Sequence, residues 1–111
     1  MEAAPAPTLA SPLGRISISH DAVAHIVGRV AAEAYGVVGM ARHRLLPRER
    51  GITVGGAGDV VNIELSVIVE YGLNLAEVAS TIRNRVGYEV SRLTGLPVRA
   101  VEVHIDDVRT A

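Results

Sequence analysis

The stretch VVNIELSVIVEYG, residues 60–72, has the most regular pattern in the chain. From Val61 to Tyr71 every odd position is apolar. The even positions from 62 to 70 are polar (Asn62, Glu64, Ser66 and Glu70) except for Ile68. Because successive side chains of a strand point to opposite faces, this period of two predicts a strand with one face against a core and the other toward water.

The composition allows a single domain with an aliphatic core. The chain has 111 residues, of which 49% are hydrophobic, and it contains no Phe and no Trp. It also contains no Cys, which excludes a disulfide framework, a thiol nucleophile and a thiolate metal site. The formal net charge is −1, so no overall electrostatic field attracts nucleic acid or anionic lipid.

The sequence predicts one domain behind a short tail, without a targeting segment. Residues 1–13 are rich in Ala and Pro and lack periodicity, so we predict a disordered tail there and a single domain over residues 14–111. The N-terminus lacks the basic start and apolar run of a secretory signal, and no stretch approaches the roughly 18 apolar residues of a membrane span. We therefore expect a cytoplasmic protein with no direct membrane span.

The segments before this strand predict a strand, a helix and a hairpin. Arg15–Ile18 alternates, with Ile16 and Ile18 inward, and Ser19 is a predicted helix N-cap. Apolar residues then recur at helical spacing up to Gly36. A short apolar run at 37–40 follows. Residues 52–54 form a brief predicted strand, and the GGAG sequence at 55–58 is predicted to be the turn of a β-hairpin.

The segments after this strand predict a second helix and a last strand. Asn74 is a predicted N-cap, and Gly95 is the predicted helix end. The predicted inward stripe of this helix is Leu75, Val78, Ile82, Val86, Val90 and Leu93. The last strand, Val98–Val108, turns Val101, Val103 and Ile105 inward and Glu102, His104 and Asp106 outward.

Together these elements predict an α/β fold of the α+β type, in the order βαββαβ. Two amphipathic helices and strands with one dry face give a two-layer sandwich, with both helices packed on one face of a mixed sheet, ferredoxin-like or similar. In that topology the first strand lies between the third and the last. Arg15 would then face Glu64 or Glu102 across the ladder.

The carboxylates of the long strand do not form an acid/base pair. Glu64 and Glu70 are six residues apart, which separates them by about 20 Å, whereas glycosidase-type pairs need roughly 5–10 Å. We interpret them as part of a solvated face. Serines lie within regular elements, and the sequence places no His beside them, so we predict that the protein is not an enzyme and needs no cofactor.

Two other features leave alternatives open. Glu102, His104 and Asp106 share a strand face and have the side chains of a metal site, but no second His lies nearby, so a structural or partner-facing role is favoured. Arg42, Arg44, Arg48 and Arg50 crowd a basic loop, for which we weigh a solvated loop, a protein partner, and phosphate of nucleic acid or lipid. The loop lacks interleaved aromatics for base stacking.

Several motifs together resemble the alkaline shock protein family of Gram-positive envelope-stress proteins. They are GRISIS, EAYGVVGMA, VEYG at 69–72, TGL at 94–96 and VEVH at 101–104, within about residues 14–109. The resemblance implies a non-catalytic cytoplasmic protein that self-associates, takes part in cell-envelope homeostasis, and in some members is held near the membrane by an anchored partner. Its signature positions in this chain are Glu70, Tyr71, Gly72, Thr94, Gly95 and His104.

We therefore predict an interaction module that binds through its open sheet face or a free strand edge. Its expected partners are a second copy of itself, giving a homo-oligomer, and a membrane-anchored protein that recruits it to the inner face of the membrane. We assign no catalytic, cofactor-binding or metal-ligating residue. The predicted partner-binding residues are Ile68, Glu70, His104, Arg42, Arg44, Arg48 and Arg50. The alternatives are a nucleic-acid-binding domain using the 42–50 loop, and a metal or ligand site at His104.

Overall fold

A computed structural model describes residues 6, 8–40, 51–56 and 58–110. The helices are α1 (His20–Glu33) and α2 (Leu75–Thr94). The strands are β1 (Thr8–Ser11), β2 (Gly14–Ser17), β3 (Val37–Met40), β4 (Ile52–Gly55), β5 (Val61–Glu70) and β6 (Val98–Arg109). Neither helix is both long enough and apolar enough to cross a membrane, as far as the described residues go.

Each helix begins at a side-chain cap that the sequence predicts. The Ser19 hydroxyl accepts a hydrogen bond from the Ala22 N–H at 3.0 Å, and the Asn74 amide oxygen accepts one from the Glu77 N–H at 3.1 Å. Both bonds satisfy donors that a helix N-terminus leaves unpaired. α2 ends at Gly95, whose left-handed conformation (φ 75°) lets its N–H donate to the Ser91 carbonyl.

β5 is the central strand of a four-stranded mixed sheet. On one side it pairs antiparallel with β3 and β4, which meet different halves of the strand. On the other side β6 runs parallel to it along its whole length. The predicted hairpin of β4 and β5 is confirmed by this pairing. Among the described strands β6 pairs with β5 alone, which leaves its outer edge unpaired.

A single aliphatic core lies between this sheet and the two helices. The predicted inward positions of β5 up to Val69 are all buried. They pack in one cluster with Val23, Val27, Val30 and Ala31 of α1 and with Val78, Ile82, Val86 and Val90 of α2. A fully buried aliphatic side chain contributes roughly 1.5–3 kcal/mol, so this cluster is the main source of stability. The predicted fold class, two helices on one face of a mixed sheet, is confirmed.

The first predicted strand does not join this sheet. β2 instead pairs antiparallel with β1 in a separate hairpin, where Arg15 lies opposite Ala10. The prediction that Arg15 faces Glu64 or Glu102 is therefore wrong. The physical reason is that β5 and β6 pair directly with each other, so no strand can lie between them.

The same hairpin differs from the predicted tail over residues 1–13. Thr8–Ser11 form β1, and the Thr8 N–H donates to the Gly58 carbonyl at 3.2 Å. Leu9 and Ile18 pack against the core from outside. Ile16, predicted to point inward, is 63% exposed because the hairpin lies beside the main sheet rather than in it.

Three further residues that were predicted inward are exposed: Tyr71, Leu75 and Leu93. Tyr71 lies beyond the end of β5, and Leu75 is the first residue of α2. At the other end of α2 the buried stripe continues from Val90 to Thr94, which turns Leu93 outward. The Thr94 hydroxyl remains satisfied in the core because it donates to the Val90 carbonyl at 2.6 Å and accepts from the Leu96 N–H.

Candidate functional site on the open face and edge of the sheet

The face of the sheet turned away from the helices carries the polar side chains of β5 and β6. We call it the open face and define it by Asn62, Glu64, Ser66, Ile68, Glu70, Glu102 and His104. Its polar members are exposed or half-buried. The predicted pattern of β5 therefore places the solvated side of the sheet correctly, apart from Ile68.

The parallel pairing of β5 and β6 brings three titratable side chains together on this face. Glu64 lies directly opposite Glu102, and His104 is the next residue of β6 on the same face. The His104 Nε2 atom is 3.3 Å from a Glu64 carboxylate oxygen and 3.8 Å from a Glu102 carboxylate oxygen. We call these three residues the Glu–His cluster.

The cluster differs from the set that the sequence suggested on β6. Glu102 and His104 belong to it, but Asp106 is skipped in the pairing with β5, because Val67 lies opposite Ile105 and the next residue lies opposite Asp107. This irregularity removes Asp106 from the register of the other two. The third member is Glu64 from the neighbouring strand, which local spacing cannot reveal.

Ile68 is nearly covered by its own chain. The prediction that it lies exposed on the wet face is wrong, since only 8% of its surface is accessible. Gly39 lies opposite it on β3, and Met40 and Arg109 line the same shallow depression. A glycine at the opposing position leaves room for the isoleucine side chain to lie flat. Its role as a partner contact stays a prediction.

The other predicted site residues do not belong to the Glu–His cluster. Glu70 is half-buried at the end of β5, opposite Arg109. Ser66 lies beside His104 in the register, yet no hydrogen bond joins these two side chains in the described part of the chain. The basic loop residues Arg42, Arg44, Arg48 and Arg50 lie outside the described residues.

The outer edge of β6 is the second candidate surface. The strand is twelve residues long, and its outward-facing residues Glu102 and His104 are exposed while Val101, Val103 and Ile105 are half-buried. An unpaired edge presents alternating backbone N–H and C=O groups that can pair with another strand. The edge and the Glu–His cluster are therefore neighbours on one strand.

The sequence is similar to known proteins over nearly its full length. A sequence model of the alkaline shock protein 23 family, described as having a cell envelope-related function, matches residues 8–110. The chain belongs to the alkaline shock protein 23 family. It is 33% identical over 112 residues to YloU of Bacillus subtilis (strain 168), covering 91% of this chain and 93% of that protein. It is 29% identical over 107 residues to Spy1614 of Streptococcus pyogenes serotype M6, covering 86% and 88%.

Membership of the alkaline shock protein 23 family confirms the resemblance carried by the sequence motifs. The match begins at residue 8 and so includes β1, which lies before the first of the motifs. Two signature positions, Thr94 and Gly95, end α2, and Gly72 has φ 101° in the turn after β5. These positions are structural. His104 is the signature position that lies in the Glu–His cluster.

Solved structures share the fold of this alkaline shock protein 23 family member. A single-residue variant of MamM CTD superposes with a TM-score of 0.54 at 15% identity, covering 78% of this chain and 93% of that one. A zinc form of another MamM CTD variant gives a TM-score of 0.54 at 18% identity, covering 82% and 87%. At this level of identity the likeness supports the two-layer fold alone.

Proposed function

We propose that this domain is a non-catalytic interaction module in cell-envelope homeostasis, which self-associates and binds a membrane-anchored protein at the cytoplasmic face of the membrane. The cell envelope-related function of the family supports the first part. The open face supports a non-catalytic role. It carries carboxylates and one imidazole, and no hydroxyl is hydrogen-bonded to them in the described residues. A flat, exposed face of this kind suits recognition better than catalysis.

The observation that carries this proposal is the outer edge of β6, with which no other strand pairs in the described part of the chain. An edge strand of twelve residues offers a long row of backbone donors and acceptors to an incoming strand. Strand addition of this kind takes its affinity from main-chain hydrogen bonds and its specificity from alternate side chains. It serves both proposed partners, a second copy of the chain and an extended segment of an anchored protein.

The sequence of β6 is compatible with antiparallel pairing between two copies. With a two-fold axis at Val103, Glu102 of one copy lies opposite His104 of the other, and Val101 lies opposite Ile105. Apolar pairs directly across a ladder stabilise it by roughly 0.2–1 kcal/mol each, and placing an imidazole opposite Glu102 avoids a pair of like charges. An isologous interface of this kind joins two sheets into one.

Sedimentation velocity of the full chain over a wide concentration range tests self-association. We expect a concentration-dependent dimer or higher oligomer. A monomer at every concentration would overturn this part of the proposal.

The absence of Cys from the chain allows a sharper test of the edge. Mixing the single variants Glu102→Cys and His104→Cys under mild oxidation should give a disulfide-linked heterodimer, because these positions face each other in the proposed register. Glu77→Cys, at an exposed position of α2, is the matched control and should not crosslink with either variant. Equal crosslinking with the control would argue against pairing through β6.

A further inference from the structure

We propose that the Glu–His cluster is a binding site for a divalent transition-metal ion, with Zn²⁺ as the best-fitting ion. The ligands are the His104 imidazole and the carboxylates of Glu64 and Glu102. This site does not depend on the proposed self-association, since all three residues belong to one copy of the chain.

The donor atoms already have nearly the spacing that a metal ion imposes. The two nitrogen–oxygen separations are 3.3 and 3.8 Å, and the donor atoms of the three side chains all lie within 4.8 Å of one another. Tetrahedral Zn²⁺ with bonds of about 2.0–2.2 Å holds its ligands about 3.3 Å apart. Small side-chain rotations are therefore enough to close the site.

The backbone fixes two of the three ligands relative to each other. Glu64 and Glu102 lie at directly paired positions of β5 and β6, and β5 is held on its other side by β4. Sites built on paired strands keep their ligands in place better than sites on loops. Glu102 and His104 alternate on one strand, so they reach the same face without any backbone adjustment.

The arrangement of charge at this position requires an explanation. Like charges directly opposite each other in a sheet are destabilising, yet Glu64 and Glu102 occupy such a pair. In the described part of the chain the only basic side chain within 4 Å of either carboxylate is the His104 imidazole. A divalent cation between the two carboxylates replaces this repulsion with two attractive contacts.

The chemistry of the donors favours a borderline metal ion. One imidazole with two carboxylates suits zinc, manganese or ferrous iron, whereas magnesium prefers oxygen ligands and keeps its waters. The three side chains are 49–66% exposed, so the ion can enter from solution. Three protein ligands leave coordination positions open for water or for a side chain of a bound partner.

Calorimetric titration of the tag-free full chain, stripped of metal with a chelator, tests the site with zinc chloride as the probe. We expect one zinc ion per chain. Zinc affinity should fall by about tenfold or more in Glu64→Gln and in His104→Ala, since even outer-shell changes at metal sites cost about 10–100-fold. Circular dichroism of each variant verifies that it folds, which is expected because both side chains are exposed.

Matched controls separate this site from general metal binding. Glu70→Gln changes a carboxylate on the same strand, and His25→Ala removes an exposed imidazole on α1, so both should leave zinc affinity within about twofold of the parent. Binding of Co²⁺ should give a visible absorption band that is lost in His104→Ala. No binding of zinc, or binding that is the same in Glu64→Gln and His104→Ala as in the controls, would overturn the proposal.

Discussion

The carbonyl oxygen of Val60 occupies the space where Gly56 would carry a side chain. A Cβ atom on Gly56 would overlap this oxygen, and Gly56 has φ 123°, a conformation that side chains rarely allow. The turn between β4 and β5 therefore closes only with glycine at this position. Because this hairpin sets the register of β4 on β5, the turn controls one edge of the sheet.

We predict that Gly56→Ala destabilises the domain by about 2 kcal/mol or more, since both the backbone conformation and the contact with Val60 resist the added methyl group. Urea denaturation measures the loss. Gly55→Ala is the matched control, because a Cβ there meets no atom of the described residues within 4 Å. We expect it to be neutral or stabilising by about 0.5–1 kcal/mol, and equal losses in the two variants would contradict the steric argument.

The burial of Ile68 predicts that its side chain contributes to the stability of the folded domain. We expect Ile68→Ala to lower the free energy of unfolding by about 2–4 kcal/mol, because its side chain is 8% exposed. The control Ile16→Ala, at a residue 63% exposed, should change it by no more than about 0.5 kcal/mol. Thermal or urea denaturation distinguishes the two, and a loss at Ile68 as small as at Ile16 would contradict the packing role.

Local patterns in the sequence predict the central strand and the two helices well. The odd positions of β5 from Val61 to Val69 alternate without interruption, and every one of them is buried. The caps at Ser19 and Asn74 are equally local signals, since each bond spans three residues. Period and capping chemistry are sufficient for these elements because the interactions that form them lie within one segment.

The hairpin of β1 and β2 illustrates what local patterns miss. Residues 8–11 have no alternation of their own, and they are held by the pairing with β2 and by the Thr8–Gly58 hydrogen bond. Once Gly14–Ser17 pairs there, it cannot occupy the centre of the main sheet. The wrong position of Arg15 follows from this pairing.

The Glu–His cluster likewise depends on which strands pair, here β5 with β6. The spacing of Glu102, His104 and Asp106 suggests a three-residue set on one strand, but the irregularity after Ile105 removes its last member. The approach of Glu64 requires that β5 and β6 be neighbours and that their register be known. Neither follows from the spacing of residues within β6, so the sequence alone identified two of the three members.

The N-cap of α2 should contribute measurably to stability. We predict that Asn74→Ala lowers the free energy of unfolding by about 1 kcal/mol, because it leaves the Glu77 N–H without its side-chain acceptor. Asn84→Ala, at an exposed position within the same helix, is the control and should stabilise by up to about 0.5 kcal/mol through helix propensity. Opposite signs in urea denaturation are expected, and a loss at Asn84 equal to that at Asn74 would argue against a capping role.

Glu89 and Arg92 on α2 form a pair whose pKa values are shifted in the folded state. The Arg92 guanidinium donates to the Glu89 carboxylate at 2.7 Å, and this hydrogen bond, with the positive charge behind it, holds the pKa of Glu89 below its ordinary value. Because the folded pKa is lowered, the stabilisation is present above the unfolded pKa of the carboxyl group. It is lost as the pH falls through the folded pKa.

We predict that Arg92→Gln returns the pKa of Glu89 toward the ordinary range, because the charged donor is gone. Carbon-detected NMR of the Glu89 carboxyl group across acid pH measures the change directly. Arg29→Gln on α1 is the matched control: Arg29 pairs with Glu33 at 3.8 Å and not with Glu89, so its loss should leave the Glu89 titration unchanged. If Glu89 titrates identically in the parent and in Arg92→Gln, the hydrogen bond does not set its pKa, and the pH dependence of stability must arise elsewhere in the chain.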